Sequence, residues 1–273
     1  MSVPAAITDS LARVQNGFNC GLAPVLTEEG TSGSYALKEA LAGEIARPVA
    51  FWKPFDEEPF APNNPRGMQA PLGSETCRPG VKSGESSLRE VLAYLLDHDG
   101  FAGVPPTALV EVSHPILKMS LLSDDQVKSQ EFRNLISGLL SFKRQRKNSN
   151  RQLKSSPDSS PKSAFSYRSS PSTSDGDLPD PVVETCASKL GSFQVFVPNE
   201  GPIENFSPSL FPVDEIHKIA VLDLRILNLD RNACNILVQR DHASFRLVPI
   251  DHGLSIPDSL AVQSFDLAWL SFP

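Results

Sequence analysis

Lys53 closes an apolar run, Val49-Ala50-Phe51-Trp52-Lys53, that stops at Pro54, and Glu90 lies on a helix-patterned stretch further along. Asp230 and Asn235 stand five positions apart in Asp230-Arg231-Asn232-Ala233-Cys234-Asn235, and Asp251 follows after two strand-like runs. Ahead of all of these comes a loop of small residues, Gly30-Thr31-Ser32-Gly33-Ser34. In this order, the residue types suit phosphoryl transfer from ATP, which needs a phosphate cradle, a fixed cation, a group to handle the acceptor's proton and ligands for a metal ion. Singly, each is ordinary. The loop suits a plain hairpin turn, a strand-end lysine commonly reaches solvent, and Asp and Asn are good turn formers. The sequential order carries the reading.

Each part has its own task. Glycine permits the close approach and positive dihedrals that let backbone N–H groups and hydroxyls wrap phosphate oxygens. Lys53 pairs with the phosphates while Glu90 holds its charge in place. Asp230 orients or deprotonates the attacking hydroxyl, and Asn235 and Asp251 offer the oxygen ligands that Mg²⁺ prefers. His252 and Gly253 occupy the places of Phe and Gly in a protein kinase.

These residues need a scaffold. The stretch from Val3 to Val49 reads as a short helix followed by strands around the glycine turn. Alternation along the next strand predicts that Val49, Phe51 and Lys53 share a face. Leu88, Val91, Leu92 and Leu95 fall at helical spacing, with Gly84 before them and Asp97-His98-Asp99-Gly100 after. Ala108 to Val112 and Gly191 to Val197 read as strands, the latter closed by Pro198. Val213, Ile216, Ala220 and Leu224 make a helical stripe, and Asn235–Val238 with Phe245–Ile250 predicts a hairpin with chemistry at both ends.

Composition sets the limits. The 273 residues, 40% hydrophobic and 21% charged, can bury a substantial core. A net charge of -7 argues against a nucleic-acid partner. Cys20, Cys77, Cys186 and Cys234 are scattered without metal spacing, which fits the cytosol, and no apolar run is long enough for a membrane span. Membrane contact is therefore expected to be peripheral.

Longer runs carry a resemblance. Gly30-Thr31-Ser32-Gly33-Ser34-Tyr35, Phe51-Trp52-Lys53-Pro54-Phe55-Asp56-Glu57-Glu58-Pro59, Asn63-Asn64-Pro65-Arg66-Gly67 and Gly84-Glu85-Ser86-Ser87-Leu88-Arg89-Glu90 resemble the type II phosphatidylinositol 4-kinases. Phe101-Ala102-Gly103-Val104-Pro105-Pro106 does so too. His217-Lys218-Ile219-Ala220-Val221-Leu222-Asp223, Leu229-Asp230-Arg231 and Pro249-Ile250-Asp251-His252-Gly253 are similar to the plant gamma branch.

The resemblance implies an α+β, two-lobed PI3/PI4-kinase-like fold, with a strand-rich N-lobe and an incomplete helical C-lobe. It implies an N-lobe over 1–112, a connecting segment over 113–142, a disordered Ser/Pro/basic insertion over 143–181, a last N-lobe strand and hinge over 182–198, and a C-lobe over 199–273. Asp230, Arg231 and Lys53 are then catalytic. Thr31, Ser32, Gly33, Ser34, Lys53 and Glu90 would serve the ATP phosphates, the hinge backbone of Gln194, Val195, Phe196 and Val197 would bond adenine, and Asn235 and Asp251 would hold Mg²⁺. The implied acceptor is the inositol 4-hydroxyl of phosphatidylinositol at a membrane surface. A Ser/Thr protein kinase and a weakly active nucleotide-binding scaffold are the other readings.

There are departures from the branch. Asn232 stands where gamma members usually have histidine, and Cys234 where they usually have glycine, a change expected to tighten the loop beside Asn235. The family's C-lobe continues into further helices past the position of Pro273. Lys143, Arg144, Arg146, Lys147, Arg151 and Lys154 precede Ser156-Pro157, Ser160-Pro161 and Ser170-Pro171. That tract suits an inert loop, a nuclear-localisation signal, or an anionic-lipid contact weakened by phosphorylation.

Overall fold

Helix α1, Ala5–Asn19, buries Ile7, Ser10, Val14 and Gly17 along one side, the spacing of a single helical face. That face lies on a five-stranded antiparallel sheet made of β1 (Val25–Leu26), β2 (Tyr35–Glu39), β3 (Arg47–Pro54), β4 (Thr107–Ser113) and β5 (Ser188–Val195). The order across the sheet is β1-β2-β3-β5-β4. In this computed structural model the described residues are 4–43, 45–117, 188–242, 244–260 and 266–272. The connecting segment beyond 117, the basic insertion with its Ser-Pro sites, and Cys186 lie outside them.

The helix meets the sheet closely at one point. A Cβ on Gly17 would lie 2.1 Å from the Lys38 carbonyl oxygen, which is backbone and cannot swing aside. A Gly→Ala change within a helix normally stabilises, because alanine has the better helix propensity. Here the sign reverses. Gly17→Ala is expected to destabilise the protein by about 1–3 kcal/mol through overpacking, and an unchanged or higher Tm on thermal unfolding would contradict this packing account.

Core residues Ile7, Val14, Leu37, Val49, Ala50, Trp52, Val112, Leu117 and Phe193 fill the space between α1 and the sheet. The expected shared face of Val49, Phe51 and Lys53 is corrected by a β-bulge. Leu37 pairs with Ala50 but Lys38 with Pro48, so Val49 is the extra residue and turns into the core. Phe51 and Lys53 remain half-buried on the other face.

Helix α2, Ser86–Leu96, begins and ends where the flanking signals place it. Its deepest face differs from the leucine stripe. Ser87, Leu88, Arg89, Glu90 and Ala93 are buried, while Val91, Leu92 and Leu95 are only half-buried. Polar residues go inward because each finds a partner. The Glu58 carboxylate caps the helix start, accepting from the N–H groups of Gly84 (2.7 Å), Ser86 (3.0 Å) and Ser87 (2.8 Å) and from the Ser87 hydroxyl (2.9 Å). Burial nevertheless pushes the Glu58 carboxyl up to about 7.

The second lobe holds α3 (Val213–Ile226), the hairpin of β7 (Ile236–Asp241) and β8 (Ser244–Pro249), and a short parallel pairing of β6 (Asp230–Arg231) with β9 (Asp266–Leu267). The α3 stripe is also corrected. Ile216, Ile219, Leu222, Asp223 and Ile226 face inward, while Val213 and Leu224 are exposed. Two apolar faces compete on this helix, and the winning one carries an aspartate whose charge is matched from the next loop. A further apolar cluster, Ala93, Ala102, Val104, Leu222 and Ile226, joins α2 to α3.

Candidate active site

Strand β3 delivers Lys53 and helix α2 delivers Glu90 to the same point, where Lys53 Nζ donates to Glu90 Oε1 at 2.8 Å. The same ammonium donates to Asp251 Oδ1 at 2.9 Å, so residues 198 positions apart in sequence meet there. Glu90 is 3% exposed and Asp251 about half exposed. Burial acts to lower the Lys53 pKa, but Asp251 and Glu90 outweigh it and hold the group charged. Burial likewise acts to raise Glu90, and Lys53 reverses it, holding the carboxyl far below its usual range.

Asp251 follows β8 in the left-handed region, φ 55°. For a non-glycine residue this conformation is uncommon and persists only where its surroundings hold it. The next residue supplies one hold: the His252 N–H donates to Glu90 Oε2 at 3.0 Å. Arg89, beside Glu90 on α2, supplies another, donating to the Ser255 carbonyl at 2.9 Å and closely to that of Ile256. His252 itself is fully buried, and burial, with Arg231 nearby, pushes its pKa down, so the imidazole is neutral.

Asp230 opens the short strand β6, which follows α3. Burial, then the charges of Asp251 and Asp266, push its carboxyl up to about 6, against Arg231 and Arg78. Asn235 is buried, its Nδ2 donating to the Asp230 carbonyl at 3.2 Å and its own carbonyl accepting from Ile250 N–H at 3.0 Å. The loop carrying Asp230 and the strand end before Asp251 are thus tied through Asn235. Cys234 is exposed, its thiol 3.3 Å from a Glu204 carboxylate oxygen, and its backbone lies outside the left-handed region. Asn232 Oδ1 is buried and accepts no hydrogen bond among the described residues.

Arg231, expected among the catalytic residues, is fully buried. Its Nε donates to Asp223 Oδ2 at 3.0 Å, its Nη2 to Asp223 Oδ1 at 3.0 Å, and its Nη1 to the carbonyls of Asn235, at 2.8 Å, and Ile250. Asp223 also accepts from Asn228 Nδ2 at 3.0 Å and Trp269 Nε1 at 3.1 Å. This arrangement positions; it does not present a group to a substrate.

The hinge expectation also changes. Gln194 lies between strands, opposite Phe51 and Thr107, the Val195 N–H donates to the Pro106 carbonyl, and the Phe196 N–H donates to the Val49 carbonyl. These amides serve the sheet. Among the described residues only the Val197 N–H of this quartet is left for a base.

In the glycine loop, the Gly33 N–H donates to the Glu57 carbonyl at 2.8 Å, and a Cβ there would lie 2.3 Å from Glu57 Oε2. Thr31 is exposed, and Ser32 and Ser34 are half-buried. Under the loop, buried Lys189 pairs with Asp56 at 2.9 Å and Glu57 at 2.5 Å, and Tyr35 donates to Glu57 at 2.7 Å. Residue spacing gave no sign of Arg78, Asp266 or this buried lysine. For Asp223 a signal existed, since it falls three residues before Ile226 and four after Ile219 on the buried face.

A mixed α+β chain with a strand-rich first lobe, a lysine held by a helix glutamate and an aspartate pair flanking a hairpin defines a kinase-type scaffold. The sequence profile for phosphatidylinositol 3- and 4-kinase matches residues 30–268, and the chain belongs to that family. It is 32% identical over 284 residues to phosphatidylinositol 4-kinase gamma 4 of Arabidopsis thaliana, covering 99% of this chain and 38% of that protein. It is 34% identical to phosphatidylinositol 4-kinase gamma 6 of the same plant, over 95% of this chain and 34% of the relative. It is 33% identical to phosphatidylinositol 4-kinase gamma 4 of Oryza sativa subsp. japonica, over 98% and 36% respectively. The chain thus spans less than half the length of these relatives.

Proposed function

We propose that this chain is the catalytic region of an ATP-dependent phosphatidylinositol 4-kinase. The observation that carries the reading is Lys53 fixed between Glu90 and Asp251, a cation braced on both sides in the place where the phosphates of ATP would arrive. The relatives' names supply the acceptor, phosphatidylinositol, and its presentation at a membrane surface is part of the proposal. Among the described residues no helix is long and apolar enough to cross a membrane.

In the proposed reaction the inositol 4-hydroxyl oxygen attacks the γ-phosphorus and the bond to the β,γ-bridging oxygen breaks, releasing ADP. The hydroxyl proton passes to Asp230, whose carboxylate is made more basic than usual first of all by burial. Lys53 would hold the phosphates. The amide oxygen of Asn235 and the carboxylate of Asp251 are hard donors, and the mutual repulsion of Asp230, Asp251 and Asp266 leaves a field that a divalent cation would relieve, so Mg²⁺ fits these residues. When bound, it would offset charge on the transferred group. Asp223 and Arg231 keep Asn235 and Asp251 in register without touching the reactants.

The test is a transfer assay with labelled ATP and Mg²⁺, offering phosphatidylinositol vesicles and a protein substrate in parallel. Label is expected in the lipid and is expected to vanish with Asp230→Ala. Label confined to protein would replace the lipid reading with a protein kinase. Nucleotide binding without transfer to either acceptor would leave a scaffold.

A further inference from the structure

The segment that follows the Lys53 strand turns back beneath the glycine loop and grips it. Arg66 Nη1 donates to the Glu28 carbonyl at 3.0 Å, and Nη2 donates to that of Glu29 at 3.4 Å and closely to that of Thr27. Asn64, 1% exposed, donates through Nδ2 to the Thr31 carbonyl at 3.0 Å. Its Oδ1 accepts the Arg66 N–H at 3.0 Å, and its carbonyl accepts Gln69 Nε2 at 3.1 Å, so the grip is itself braced.

A trans peptide points its C=O and the following N–H in opposite directions within one plane, and no cis peptide occurs among the described residues. The carbonyls of Thr27, Glu28, Glu29 and Thr31 turn toward Arg66 and Asn64. The amides of Glu28, Glu29, Gly30 and Ser32 must therefore turn the other way. Gly30, at φ 99°, allows the reversal that brings successive amides to one side, the arrangement of an anion-binding nest. The Gly33 amide, committed to Glu57, is not among them.

We propose that Asn64 and Arg66 are positioning residues that preset this loop for a triphosphate, and that the amides of Glu29, Gly30 and Ser32 are its donors. This rests on the reading that ATP phosphates occupy the loop. The clamp works on carbonyls, so it contributes to phosphate affinity without touching nucleotide, and adenosine does not depend on it.

The experiment compares the parent chain with Arg66→Met, Arg66→Lys, Asn64→Ala and Lys53→Met, measuring calorimetric affinity for ATP with Mg²⁺ and for adenosine. Amide hydrogen exchange over residues 27–34 is followed in the same proteins. Arg66→Met and Asn64→Ala are expected to weaken ATP about tenfold, the scale of losing charge-assisted hydrogen bonds at Arg66 and neutral ones at Asn64, with adenosine held within about twofold. Exchange should quicken in the loop and not in β3 or β5, and Arg66→Lys should restore part of the ATP affinity. ATP affinity unchanged in both clamp variants overturns the clamp alone, and parallel loss of ATP and adenosine reduces it to general packing. A parent chain that binds ATP no better than Lys53→Met removes the kinase reading and this inference with it.

Discussion

Lys53→Met is expected to lower phosphoryl transfer by about three orders of magnitude, the scale seen when a preorganised charge at a reaction centre is removed. The loss has two parts. The phosphates lose their fixed cation, and Glu90, 3% exposed, keeps a carboxylate that faces the His252 amide and, at 3.6 Å, the His252 imidazole, with no fixed cation beside it among the described residues. Stranding a buried charge costs about 3–5 kcal/mol, a large share of a domain's stability of about 5–15 kcal/mol. Lys53→Arg separates the parts, because a guanidinium keeps the charge but spreads it over a wider fork. It should recover most of the Tm and little of the rate. Steady-state transfer alongside thermal unfolding makes the comparison, and a Lys53→Met protein with the parent's rate would remove Lys53 from the mechanism.

Arg231→Leu should cause the second large effect, and chiefly on stability. Arg231 and Asp223 are both fully buried, and the guanidinium makes no contact with solvent. Removing it strands Asp223 and frees the carbonyls of Asn235 and Ile250, at a cost of about 3–5 kcal/mol. For a domain of this size that lowers Tm by about 10 °C. Replacing both partners, Arg231→Leu with Asp223→Leu, should recover much of the loss, because no charge is then left without its partner. Transfer should not return with stability, since Asn235 and Asp251 would no longer be tied to one group. A double variant no more stable than Arg231→Leu would show that the ion pair is not the source of the cost.

Local patterning made the helix and strand positions legible. The apolar run closed by a proline became β3, the signals around Leu88 became α2, and the two runs that follow the Asp230 loop became the β7–β8 hairpin. Faces were less legible than elements. One bulged residue turns Val49 inward, and on α3 the preference for apolar residues hid a buried aspartate. The Lys53, Glu90 and Asp251 constellation could be read because the order of parts is a long-range constraint in itself. The roles of Arg231, Arg66 and the hinge amides could not, because each depends on carbonyl groups brought close by folding, and carbonyls have no signature in a residue alphabet.

The strand order has a consequence for how the protein is made. β5 lies between β3 and β4, so both wait for residues 188–195 although β4 is complete at Ser113. At a synthesis rate of roughly 5–20 residues per second, the interval is about 4–16 s. During that time β3 and β4 have adjoining edges with no strand between them, and Trp52 and Val112 lack Phe193 as a neighbour. Unpaired edges recruit other strands. Until its central strand leaves the ribosome, the nascent first lobe therefore presents two strand edges that another chain could pair with.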